Sequence, residues 1–230
     1  MREGRTGMAG AAAGKRWTPI FERIPEEKRL RVLVAAKRAF ARHGYAGTNV
    51  NLVARDAGIS VGSLYQYFRT KEDIFLALIE HSHSLLASII DDIFRRESTF
   101  LGRVQAILTV AVESSVNDPE LLNLYIACTT QELGPMAAKL SSRIESVAAH
   151  RYREMVGTAI RNGEIRADAD PSSVSFCLDN LFLIVQFSFG SAYYRERLAL
   201  FLGRRVAARP REVIESVMDF IRHALLPESR

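Results

Sequence analysis

From residue 26 to the carboxyl end, apolar residues recur at helical spacing in nearly every segment, and no alternating run rich in Val, Ile and Thr interrupts them. That periodicity restricts the chain to an all-α fold. Residues 26–43 place Leu30, Leu33, Val34, Ala36 and Phe40 on one side of a helix that stops at Gly44. A short helix follows over 49–57, with the Thr48 hydroxyl expected to accept a bond from an amide of its first turn. Gly58 ends it, as a residue that tolerates positive φ. Ser60 then caps the neutral, aromatic string "ISVGSLYQYF". Thr70, with Glu72 and Asp73, opens a long helix carrying Phe75, Leu78, Leu85, Ile89 and Ile93. Its roughly 26 residues would span about 39 Å. Further helices are expected near 99–116, 119–133, 135–162, 171–194 and 210–226, with a basic loop over 203–209. Prolines 119, 135, 171 and 210 stand at helix starts, where a missing amide donor costs nothing.

The 230 residues suffice for one large domain or two small ones. Charge is unevenly placed. Residues 1–76 hold 14 Lys/Arg against 7 Asp/Glu, whereas 77–230 hold 17 against 19. A basic amino-terminal third suits contact with a polyanion, and equally a solvated basic surface. Cys128 and Cys177 each lie in an apolar stretch, so both read as buried free thiols suited to a reducing cytoplasm. The first 17 residues lack an apolar run of signal-peptide length and read as a disordered basic arm. The stretch 174–192 approaches membrane length, but Asp179, Asn180 and Gln186 interrupt it, so a buried soluble helix is expected. No Ser/His/Asp arrangement, Gly-rich phosphate loop or carboxylate pair is present, and His81 and His83 point to different faces of one helix. No catalytic role, cofactor or metal site is therefore expected.

Two short helices joined by a Gly-containing turn match the helix-turn-helix, whose second helix enters the DNA major groove. Val53, Ala54, Ala57, Ile59, Leu64 and Phe68 form its expected inner face. Val61, Gly62, Ser63, Tyr65, Gln66 and Tyr67 are left for the outside and the helix start. Small, neutral residues let the helix end approach bases and phosphates, and tyrosines supply reach. Arg42, Arg55, Arg69 and Lys71 add attraction that ignores sequence. An ordinary helical hairpin with exposed tyrosines satisfies the same periodicity.

The segment "AAKRAFARHGYAGTNVNLVARDAGISVGSLYQYFRTKEDIFLALIE" resembles the DNA-binding region of TetR-family transcriptional regulators. The resemblance covers about residues 29–80. Its carriers are Phe40 to Gly44, Thr48, Ala54, Ala57, Gly58, Ser60, Gly62, Leu64, Tyr65, Tyr67, Phe68, Lys71 and Glu72. It implies an all-α homodimer that represses from a near-palindromic operator. A three-helix helix-turn-helix DNA-binding domain (26–70) would follow an arm (1–25) and precede a larger helical ligand-binding and dimerisation bundle (71–230). By position, Thr48, Asn51, Val61, Gly62, Ser63, Tyr65, Tyr67 and Lys71 would meet DNA. Asn51 is the candidate for a base edge, and Tyr65, Tyr67 and Lys71 for phosphates. Val61 departs from the polar or basic residue often found there and suits a thymine methyl. Arg2, Arg5, Lys15 and Arg16 would either reach the minor groove or form a solvated tail.

The resemblance places the dimer interface on the last two helices, "SFCLDNLFLIVQFSFG" and the helix carrying Val213, Ile214, Val217, Phe220, Ile221 and Leu225. An intramolecular core is the competing use of the same faces. An effector pocket would lie among the middle helices, with Tyr125, Cys128, Gln131, His150, Asp179 and Gln186 as candidate lining groups. A hydrophobic effector, such as an acyl chain, drug or aromatic, would release the repressor. A DNA-binding regulator without a ligand and a protein-interaction module are the alternatives.

Overall fold

In the computed structural model, residues 16–128 and 134–227 are described, with the side chains of 127–147 outside that description. Among the described residues every element is a helix. They run α1 (Pro19–Arg23), α2 (Glu26–Gly47), α3 (Val50–Asp56), α4 (Val61–Tyr67), α5 (Lys71–Arg96) and α6 (Phe100–Asn117). There follow α7 (Pro119–Cys128), α8 (Gly134–Arg161), α9 (Pro171–Gly190), α10 (Ala192–Leu202), α11 (Arg204–Ala207) and α12 (Pro210–Leu225).

The local punctuation acts as the sequence predicts. Gly44 (φ 66°) breaks regular helix in α2, and Gly58 (φ 68°) ends the turn after α3. Ser60 Oγ accepts from the Ser63 amide at 3.0 Å, and Thr70 Oγ1 from the Asp73 amide at 3.0 Å. Thr48 behaves differently. Its hydroxyl donates to the carbonyls of Gly44 (2.6 Å) and Ala39 (3.2 Å), closing the end of α2, while Asn49 Oδ1 accepts from the Asn51 amide at 2.9 Å. Asn49 therefore caps α3, being one residue closer to the amides that need a partner.

Two apolar clusters divide the chain. In the head, Val32, Leu33, Ala36, Phe40, Val53, Ala54, Ala57, Leu64 and Phe68 pack on the first turns of α5, Ile74 to Ile79. Phe40, Tyr45 and Phe75 meet as an aromatic trio with centroids 5.1–6.0 Å apart. Leu30 and Val34 do not share that face. Both are exposed along a groove of about 620 Å³ with Arg31, Arg38 and Arg42. The body core joins α6, α8, α9 and α12 through residues such as Leu108, Val156, Leu178 and Met218. Arg151 on α8 pairs with Asp91 on α5, and Arg166 N–H donates to the Leu225 carbonyl at 2.8 Å. Helices α5 and α9 are long and apolar enough to pass for membrane spans by composition. Each packs one side against neighbouring helices here.

Helix α7 touches both the head core and helix α9 of the body. Leu124 is buried in the head core. Leu122 lies against α9, where a Cβ on Gly190 would fall 1.8 Å from its Cδ2. Asp118, at the entrance to α7, accepts from Lys37 Nζ of α2 at 2.6 Å. The expected helix over 171–194 is interrupted at this level. Ser191 is extended (ψ 132°), and α10 starts afresh. The expected loop over 203–209 contains the single-turn α11.

The expected disordered arm over 1–25 is also corrected for its described part. Phe21 of α1 is buried against Tyr67 and Phe68, with centroids 5.6 and 4.7 Å apart. Cys177 is exposed rather than buried, because α9 is apolar on more than one side and only one side meets the core.

His81 of α5 is half-buried beside Trp17, Leu33, Glu80 and His83. Burial, then the nearby Arg29 charge, push its pKa below the ordinary histidine value, and Glu26 acts in the opposite sense. The unfolded chain, with an imidazole pKa of about 6.5, takes up the proton more readily. Stability present above about pH 6.5 is thus lost as pH falls through the folded pKa. Melting temperature should drop between pH 7.5 and 5.5, and His81→Gln should flatten that drop. An unchanged slope in the variant would remove His81 as the cause.

Candidate nucleic-acid interface

The candidate interface is built by α3, α4 and the start of α5. Helix α4 is only seven residues long, too short to persist alone in water. Leu64 and Phe68, fully buried, anchor it in the head, and Ser60 fixes its first turn. Outward, Tyr65 is 51% exposed, and Gly62 and Gln66 are also exposed. Val61 and Ser63 are half-buried, the Ser63 hydroxyl lying 2.9 Å from Ser60 Oγ. Asn51 is exposed on the first turn of α3. Arg42 and Arg69 are exposed nearby, and Arg55 is engaged by Asp56 at 3.0 Å. No acidic residue falls in α4.

Three of the expected contact residues are held otherwise. Tyr67 is 4% exposed, its ring packed on Phe21 with Lys28 Nζ 5.8 Å above it. It belongs to the head core rather than the outside, since α1 covers the face that α3 leaves open. Thr48 is also buried, its hydroxyl consumed by α2 carbonyls. Lys71 is half-buried. Its Nζ donates to the carbonyls of Ala46 (3.0 Å) and Thr48 (3.3 Å) and sits 4.9 Å over the Tyr45 ring. A cation so placed holds the α2–α3 corner against α5. Glu72 and, above all, burial raise the Tyr45 pKa, keeping that ring's hydroxyl protonated.

Gly62 has an ordinary helical backbone, and a Cβ there would meet only Ser60 Oγ, at 3.9 Å. Nothing among the described residues requires glycine at this position.

The sequence profile of bacterial regulatory proteins of the TetR family matches residues 32–78, the stretch from α2 through the start of α5. Over that segment the chain is similar to the TetR family. The chain is 34% identical to the HTH-type transcriptional repressor AcnR of Corynebacterium glutamicum over 68 residues, 30% of this chain and 36% of the repressor. It is 33% identical to the nucleoid occlusion factor SlmA of Haemophilus influenzae over 106 residues, 45% of this chain and 49% of that factor. The chain thus spans about half or less of these relatives' lengths. The fold extends further. A TetR-family regulator from Chloroflexus aurantiacus superposes with a TM-score of 0.60 at 22% identity, over 92% of this chain and 99% of that one. The regulator FadR of Bacillus subtilis, solved in complex with stearoyl-CoA, superposes with a TM-score of 0.66 at 16% identity, over 81% of this chain and 95% of that one.

In the body, the described candidate pocket residues do not form one group. The Tyr125 ring lies tilted beside Phe187 (centroids 6.2 Å apart), and Gln186 donates to Ser114 Oγ at 3.4 Å, both half-buried. Asp179 is half-buried on another turn of α9, and His150 is exposed on α8. Gln131 and the Cys128 side chain lie outside the described residues.

Proposed function

We propose that this chain is a transcriptional repressor that binds a near-palindromic operator as a homodimer and is released by a hydrophobic effector. Gly62 carries the reading. Glycine in a helix costs up to about 1 kcal/mol against alanine, and no contact among the described residues needs it. A surface approaching α4 closely from outside gives the missing reason. Asn51, Val61, Ser63 and Tyr65 surround that point, with Asn51 proposed for a base edge, Val61 for a thymine methyl and Tyr65 for a phosphate. The proposed dimer faces are the outer sides of α9 and α12, which would set two heads about 34–36 Å apart. Such a protein works where the DNA is, in the cytoplasm.

For the effector, the likeness to a regulator solved with stearoyl-CoA supports an acyl thioester as the first class to test. Signal would pass from the body to the head by α5 and by α7, whose Leu124 and Asp118 engage the head directly. A coupling of about 1–3 kcal/mol is enough for a switch. The partial likeness to a nucleoid occlusion factor favours a second reading, a DNA-binding protein that answers no small molecule.

The test measures binding to DNA upstream of the protein's own gene against random DNA at several salt concentrations. Equal affinity for both defeats the operator reading. Gly62→Leu sharpens it. The free variant should be at least as stable as the parent, while operator affinity falls about tenfold or more, equivalent to roughly 1.4 kcal/mol. Undiminished affinity would mean that α4 does not enter the groove by its first turn.

A further inference from the structure

Helix α4 has carbonyls at its carboxyl end that no helical amide can reach. Two of them are taken by one residue from before the family-matched segment. Thr18 Oγ1 donates to the Gln66 carbonyl at 2.6 Å, and the Thr18 amide donates to the Tyr67 carbonyl at 2.9 Å. Three residues later Phe21 inserts beneath Tyr67 and Phe68. On the other side of Thr18, Trp17 Nε1 donates to Glu22 at 2.9 Å, closing the segment on itself. Arg16 Nε, shielded from solvent, lies 4.0 Å from Glu80 of α5. The chain at 16–23 therefore touches α4 at its last turn and α5 more than two turns from its start.

We propose that residues 16–23 form a splint that sets the angle of α4 on DNA, with Thr18 as its positioning residue. The proposal rests on α4 being the reading helix. Residues 68–70 join α4 to α5, and Leu64 and Phe68 hold α4 in the shared core by apolar packing, which fixes its angle less tightly than hydrogen bonds at its carboxyl end. The splint supplies a second point of attachment. With both ends of a two-turn helix fixed, by Ser60 at one and Thr18 at the other, displacement of α5 carries α4 with it as one piece. Base contacts are lost by small errors in angle, whereas attraction to phosphates survives them. Removing the splint should therefore lower specificity more than affinity for DNA at large.

The test compares the full-length protein with Thr18→Val, which keeps the shape and the amide but removes the hydroxyl donor, and with Thr18→Ser, which restores it. Operator and random DNA are titrated side by side at fixed salt. Loss of one net hydrogen bond predicts a fall of about fivefold in the operator-to-random ratio for Thr18→Val. Random-DNA affinity should be unchanged and melting temperature should fall by no more than about 4 °C. Thr18→Ser should recover the ratio. Amides of the last turn of α4, up to Phe68, should exchange faster in the free Val variant. An unchanged ratio, an equal loss on both DNAs, or a loss that serine does not restore would each overturn the splint. Absence of specific binding by the parent protein would instead remove the reading on which it rests.

Discussion

Phe40→Ala should cost about 3–5 kcal/mol of stability, the usual range for emptying a buried aromatic site. Against a total of roughly 5–15 kcal/mol, that is enough to leave much of the population unable to bind DNA at 37 °C. Phe40 is 1% exposed and meets Phe75 edge-on at 5.1 Å and Tyr45 face-on at 6.0 Å. Its removal leaves both partners facing a hole just where Gly44 turns the chain and the Thr48 hydroxyl closes α2. Those neighbours are backbone-constrained, so collapse into the space is limited and the cavity term stays large. Urea unfolding followed by tyrosine fluorescence and far-ultraviolet dichroism measures the change. A loss below about 1 kcal/mol would mean that the trio does not organise the head.

The second large effect concerns assembly. Phe176 of α9 is 70% exposed and Phe220 of α12 is 62% exposed, with Ile184 two turns from Phe176 on α9. Apolar side chains so open on the two proposed dimer helices cost the protomer nothing to replace. The double variant Phe176→Arg, Phe220→Arg should fold with the parent's helix content but sediment as a monomer. A single head then loses the linkage that makes its second binding event intramolecular, and operator affinity should fall by about 100-fold or more. A variant that remains dimeric would place the interface elsewhere. A monomer that binds as tightly as the parent would show that one head suffices.

Features set by near neighbours were legible in the sequence, and features set by distant chain were not. Gly44, Gly58, Ser60 and Thr70 act through the backbone next to them, so each marks its turn or cap without knowledge of the rest of the fold. The inner face of α3 and α4 was readable for the same reason: Val53, Ala54, Ala57, Leu64 and Phe68 lie within sixteen positions of one another. Tyr67 was misplaced because its cover, Phe21, comes from 46 positions earlier, out of a segment that composition marks as an arm. The break at Ser191 follows Gly190, where Leu122 of another helix leaves no room for a Cβ. Leu30 and Val34 satisfy helical spacing, yet the buried stripe of α2 is completed by Val32, Ala35 and Ala39. A wide apolar pattern does not say which edge of it meets the core. The same ambiguity put Cys177 inside when it is outside.

Leu122 and Leu124 stand two positions apart on α7, and one packs on the body while the other packs in the head. That arrangement defines where this protein can be cut and spliced. A chimera joined at the start of α5, giving this head to another regulator's bundle, would bring neither Leu124 nor the Asp118 that holds Lys37. The transplanted head would present a vacant apolar site and an unmatched lysine to whatever helix met it. A working exchange of DNA specificity has to carry α7 along with α2 to α5, or graft the outward residues of α3 and α4 alone.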